Sequence, residues 1–109
     1  MSKLLGKIES VHFGFGGYQD AMIGLSLHFS GDGWGAYKFI GTWSIKRSEI
    51  AKWTESERVN TLGETVMQIA DLLNQAKKKD VSELKGVPVE CTFDDKNSLT
   101  EWRILKEVI

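Results

Sequence analysis

One stretch of this sequence decides its fold class. Between Thr54 and Lys78 the apolar residues Val59, Leu62, Val66, Ile69, Leu73 and Ala76 recur every three or four positions, the period of a helix with one buried face. Thr54 and Glu57 stand at capping-box spacing, in which the hydroxyl serves the Glu57 amide and the carboxylate reaches back. Lys77, Lys78 and Lys79 suit the negative end of the helix dipole. A helix over 55–78 is about 36 Å long at 1.5 Å per residue.

The other ordered segments alternate with period two. Residues 4–13 predict a strand in which Leu4 and Ile8 share one parity while Val11, Phe13 and Phe15 share the other, so a bulge is expected near Glu9 and Ser10. Residues 21–29 alternate cleanly, with Ala21, Ile23, Leu25, Leu27 and Phe29 on one side. Residues 36–43 form a third strand with Tyr37, Phe39 and Trp43 on one face. After the helix, "DVSELKG" reads as a short helical turn closing at Gly86. Val87, Val89, Cys91 and Phe93 mark a fourth strand, "DDKN" turns the chain, and 99–108 forms a fifth. The order β-β-β-α-β-β predicts an α+β fold: a five-stranded, mainly antiparallel sheet with one long helix packed on one face. The length predicts a single domain over 1–109.

Composition excludes several functions. A net charge of −1 selects neither nucleic acid nor an anionic membrane. Lys46, Arg47 and Lys52 cluster loosely, but Glu49, Glu55 and Glu57 dilute them, so no nucleic-acid partner is expected. No apolar run reaches the roughly 18 residues of a membrane span, and "MSKLLGKIE" lacks the apolar stretch of a signal peptide. The single cysteine, Cys91, rules out an intramolecular disulfide and fits a reducing cytoplasm; its apolar parity reads as a buried thiol.

Catalytic motifs fail one by one. "GFGGYQ" has Gln19 where a dinucleotide fingerprint needs its third glycine, and a strand follows it instead of a helix. "GDGWG" lacks the Gly-Lys-Ser/Thr of a Walker loop. Ser82 and Lys85 make a Ser-x-x-Lys without its partner motifs. A hairpin closing about Gly16 and Gly17 would set His12 opposite residue 22 and leave His28 some 20 Å away at about 3.3 Å per residue, too far for a shared metal. No catalytic residue, metal ligand or cofactor is therefore assigned.

The aromatic turns remain. Eight of the eleven glycines lie between Gly14 and Gly41, and Tyr18 and Trp34 sit among them in "HFGFGGYQD" and "SGDGWG". Rings in turns either fold back as lids over the core or meet a ligand, a partner protein or a second subunit. The candidate ligand-binding set is His12, Gly14, Gly16, Gly17, Tyr18, Gln19, Asp20 and Trp34: rings for stacking, glycine backbone for close approach, and polar groups for orientation.

"GKIESVHFGFGGYQDAMIGLSLHF", "WTESERVNTLGETVMQIADLL" and "LKGVPVECTFDDKNSLTEWRILKEVI" together resemble a family of small bacteriophage- and prophage-encoded proteins. The resemblance carries no assigned activity or site. It implies a context: accessory factors that bind or block host components, defence machinery included, in the cytoplasm of the host bacterium. The expectation is a non-enzymatic, homo-oligomeric binding protein that captures a small planar or nucleotide-like host molecule. The alternatives are an inhibitor or adaptor of a host protein, acting through the aromatic turns or a sheet edge, and an enzyme using Asp20 or His12.

Overall fold

The computed structural model describes residues 2–44 and 54–109. Lys46, Arg47, Lys52 and Trp53 lie outside the described residues. The five strands are β1 (Ser2–Gly16), β2 (Met22–Gly31), β3 (Trp34–Trp43), β4 (Pro88–Phe93) and β5 (Leu99–Ile104), and one helix, α1 (Glu55–Ala76), joins β3 to β4. They form one sheet in the order β3-β2-β1-β4-β5, antiparallel at every pairing. The α+β architecture is thus the one the periodicities predict. No described helix is long and apolar enough to cross a membrane.

β1 runs well past the predicted strand at both ends and serves two partners. Ser2 to Lys7 pair with β4, while Gly6 to Gly16 pair with β2. The register shifts between Ile8 and Ser10, where the parity change places a bulge. Before it Ile8 points inward and is fully buried; after it Val11, Phe13 and Phe15 take the inward parity. Bulges bend and twist a sheet, and this one rolls. Trp102 of β5 meets Phe29 of β2 at 4.9 Å between ring centroids with the planes tilted by 43°, although two strands separate them in the order. The core inside the roll is Ile8, Leu25, Leu27, Phe29, Val89, Cys91 and Ile104, with Leu84 added from the short 3-10 turn Val81–Leu84.

The helix closes the roll. Thr54 caps it, its hydroxyl accepting from the Glu57 amide at 3.0 Å. It ends at Ala76, just short of the predicted end, because Lys77 turns left-handed and donates to the Asn74 carbonyl. Its buried face also departs from the predicted stripe. Ile69, Leu72 and Leu73 pack on the core, but Val59 is 53% and Val66 63% exposed, while Thr65 is buried. Thr61 and Thr65 donate their hydroxyls to the carbonyls four residues back, at 3.0 and 2.8 Å. Short side chains with satisfied hydroxyls let the helix lie close to β3, so the threonines take the buried face and the valines turn outward.

Two further expectations are corrected. β5 stops at Ile104, and Lys106–Val108 is a 3-10 turn. Trp34 is not a free turn aromatic. It opens β3 on the inner parity, and a Cβ added at Gly31 or Gly6 would stand 2.1 or 2.6 Å from its indole. The ring thus crosses two glycines to meet Phe93 of β4 edge-on, at 5.4 Å. Trp34→Ala should therefore lower unfolding stability by roughly 3–5 kcal/mol, whereas Tyr18→Ala, at a 63% exposed ring, should change it by less than about 1 kcal/mol. Parallel denaturant titrations of the two variants measure this.

Candidate functional site

Directly paired residues of antiparallel strands point to the same face. The register therefore sorts the β1–β2–β3 portion into two sides. Leu25, Leu27 and Phe29 point inward toward the helix, and the alternate residues point outward. In rows across β1, β2 and β3, the outer face reads Ser10–His28–Tyr37, His12–Ser26–Phe39, Gly14–Gly24–Gly41 and Gly16–Met22–Trp43. None of these four rows carries a fixed charge; the next row on the same face, Lys7–Ser30–Gly35, brings in Lys7, and Glu9 accepts from the Ser30 hydroxyl there.

The glycine row explains how the rings lie. A Cβ on Gly24 would stand 2.2 Å from the Ile40 carbonyl oxygen, and one on Gly41 would stand 2.2 Å from that of Ile23, so β2 and β3 approach too closely there for side chains. Phe39 covers the gap, close enough to Gly41 and Gly16 that a Cβ on either would meet the ring at 2.7 and 3.2 Å. His12 folds over Gly14 in the same way, 2.9 Å from where a Cβ would be. Beside them the His28 and Tyr37 rings lie 4.9 Å apart between centroids with their planes tilted by 56°, both exposed. The Tyr37 hydroxyl lies 3.5 Å from that of the nearly buried Ser26. Tyr18 meets Trp43 edge-on at 6.5 Å at the far end of the face. The result is an uncharged platform of histidine and aromatic rings on a rigid sheet.

Of the residues singled out from sequence, His12, Gly14 and Gly16 lie on this platform. Gly17, Tyr18, Gln19 and Asp20 form the turn at its end, with Tyr18–Asp20 in a 3-10 turn. Gln19 and Asp20 both take left-handed backbone, at φ 52° and 54°. Trp34 is at the other end of β2 and on the opposite face, so it is not part of one site with Tyr18; it borders a separate cavity of about 210 Å³ with Leu4, Phe93 and Asn97.

The separation expected between the histidines is also overturned. The β1–β2 connection takes up Gly17 to Ala21, so Gly16 pairs with Met22 and His12 with Ser26. His12 and His28 are therefore diagonal neighbours, about 7–8 Å apart by sheet geometry. Sequence reasoning missed Tyr37, His28, Ser26, Phe39 and Trp43 as members of the site. The shared parity of Tyr37, Phe39 and Trp43 was the available signal.

Other concavities lie where the roll nearly closes. A cavity of about 370 Å³ is lined by Lys38 and Ile40 of β3, Gln68 and Leu72 of α1, and Trp102 and Arg103 of β5. Of its two cations, Lys38 and Arg103, Arg103 is already held by Glu90 and Glu107, each at 3.1 Å. Among the described residues no cluster of three or more His, Cys, Asp or Glu is placed to hold a metal. No family model matches the chain, and neither a curated protein nor a solved structure matches it.

Two outcomes follow. Gly24→Ala drives a methyl into backbone and should cost about 1–3 kcal/mol of stability by overpacking, read from the denaturation midpoint. Burial pushes the Cys91 thiol up to about 11. With an unfolded value near 8.5, the stability that the neutral buried thiol contributes is complete below about pH 8 and is lost as pH rises toward 11. Folded protein should resist thiol reagents at neutral pH, and Cys91→Ala should show a shallower alkaline loss of stability than the parent.

Proposed function

We propose that this chain is a non-enzymatic binding protein that captures a small planar molecule, the base of a nucleotide or a similar ring, on the outer face of β1, β2 and β3. The observation that carries this reading is the exposed His28–Tyr37 ring pair, 4.9 Å between centroids, beside His12 on strand rows that carry no fixed charge. Stacking needs a flat, exposed ring held in place, and β3 supplies that on a strand pinned to β2 by a full antiparallel ladder. Polar atoms sit at its rim: both imidazoles, the Tyr37 and Ser26 hydroxyls, and the amide and carboxylate of Gln19 and Asp20 in the adjoining turn. The four central rows carry no fixed charge, which favours a neutral ring in contact with them, while Lys7 and Glu9 beyond His28 and Asp20 at the other end put charge only at the margins. With the resemblance to phage accessory proteins, the captured molecule belongs to the host cell, and its removal from solution would serve counter-defence.

A second reading, an inhibitor or adaptor of a host protein, is favoured by the exposed turn Tyr18–Asp20, which projects one aromatic and two polar side chains from the end of the platform. A lysate pull-down read for both small molecules and proteins separates the two.

The first reading is tested by titrating nucleosides and nucleotides while following the backbone and imidazole resonances of His12 and His28. The double variant His28→Ala/Tyr37→Ala should weaken binding by about 2 kcal/mol or more and change unfolding stability by no more than about 1 kcal/mol. If no planar ligand perturbs these resonances, or if the double variant binds as the parent does, the platform is not the site.

A further inference from the structure

We infer that the outer half of β1 is a subunit interface: two copies of this chain pair antiparallel through residues 12–16, joining their sheets edge to edge. The proposal is independent of which ligand the platform binds.

The argument starts from where the backbone groups of β1 point. Gly24 and Gly41 stand so close that a Cβ on Gly24 would lie 2.7 Å from the Gly41 Cα, which marks them as a non-hydrogen-bonded pair. The Ser44 amide bonds the Ala21 carbonyl at 3.0 Å, which fixes the same alternation along β2. Gly24 therefore turns its N–H and C=O toward β1, and Gly14, its partner there, answers. Phe13 and Phe15, one position either side of Gly14, turn theirs away from β2. On that side β4 is already finished: the Ile8 amide bonds the Val87 carbonyl at 2.9 Å, and the Gly86 amide bonds Ile8 at 2.7 Å, beyond which no described residue pairs with β1. Among the described residues, this stretch of edge is left unpaired.

The edge is built to be paired. Open edges are normally blunted by lysine, proline or inward-pointing charge. Between Glu9 and Asp20 this chain has none of these. The rings of Phe13 and Phe15 are 51% and 64% exposed, on the face that carries the helix and its outward valines.

A second copy is the occupant this edge fits. Once the edge is taken out of water, an extended strand satisfies the outward amides and carbonyls of Phe13 and Phe15 together, and the same segment of a second chain supplies one without opposing like charges. Centred on Gly14, two-fold pairing sets Phe13 opposite Phe15 of the partner subunit, with both residues turning their backbone groups across the seam. It also sets His12 opposite Gly16 of the partner subunit. The phenylalanines of both copies then cover each other on one face. On the other face the two platforms become continuous, with a His12 from each copy beside the axis. An isologous contact of this kind uses the same segment of both copies and closes on itself.

The test is mass measurement by light scattering on the full chain over a range of micromolar concentrations, with amide exchange at Phe13 and Phe15. The parent should be a dimer whose Phe13 and Phe15 amides exchange more slowly as concentration rises. Phe15→Lys should raise the dissociation constant by about tenfold or more and leave the circular dichroism spectrum unchanged, while Phe15→Leu keeps the dimer. A monomer at every concentration overturns the inference. So does a dimer indifferent to both Phe15→Lys and Phe13→Lys, or a monomer whose edge amides are protected only by a host protein. If Phe15→Lys does not fold, exchange in the parent decides: rates independent of concentration overturn the proposal.

Discussion

The fold depends on one strand changing face in its middle. A strand slipped by one residue moves all its apolar side chains to the wrong side, and β1 uses that rule deliberately. Its first half buries even-numbered residues and its second half presents odd-numbered ones inward, with Glu9 taking up the difference. The bulge is held from the side: the Ser30 hydroxyl donates to the Glu9 carboxylate at 2.6 Å. That hydrogen bond, followed by the charge of Lys7, keeps the Glu9 carboxyl below its ordinary range. Because β1 pairs with β4 on one side of the bulge and only with β2 on the other, the bend there lets β5 curl back until Trp102 reaches Phe29. The core, the crevice under the helix and the bare outer half of β1 are all consequences of that one inserted residue.

The architecture was legible because it rests on local signals. Strand parity, the Thr54 cap and the DDKN turn are short-range, and the bulge announced itself as a change of parity between Ile8 and Val11. The site was less legible because it rests on register. A hairpin closing tightly at Gly16 and Gly17 and one closing through Tyr18–Asp20 differ by four residues of pairing, and glycines in both places fit either. That difference alone separates His12 from His28 or makes them neighbours. The helix face was hidden for another reason. Periodicity ranks Val59 and Val66 above Thr61 and Thr65, yet the helix lies against a glycine-pinched strand, where a short side chain with its hydroxyl bonded internally packs closer than a branched apolar one. Trp34 was misplaced because a residue next to Gly-Asp-Gly looks like a turn, and nothing local reveals that Gly31 and Gly6 clear a path for its ring.

Glycine does two different jobs on the two sides of this sheet. On the inner side Gly6 and Gly31 admit one indole, which joins β3 to β4 across β1 and β2. On the outer side Gly14, Gly16 and Gly41 leave hollows for His12 and Phe39, whose rings lie down where they would otherwise stand upright. The same residue type thus stabilises the core on one face and flattens a surface on the other. A composition-level reading of a glycine-rich, aromatic front half sees one feature where the structure has two.

The platform and the open edge are coupled by simple energetics. Stacking of one ring on one aromatic side chain is worth roughly 1–3 kcal/mol, which alone corresponds to weak binding. A monomer offering the His28–Tyr37 ring pair and a single His12 would hold a free planar molecule poorly. Joining two copies through the proposed β1 pairing would add no new ring type, but it would place both copies of His12 beside the axis and extend the surface across it. Binding elements held in fixed relation act together without a further ordering cost. The edge that leaves Phe13 and Phe15 bare in one chain is therefore also the edge along which two shallow surfaces would become one surface broad enough to hold a ligand.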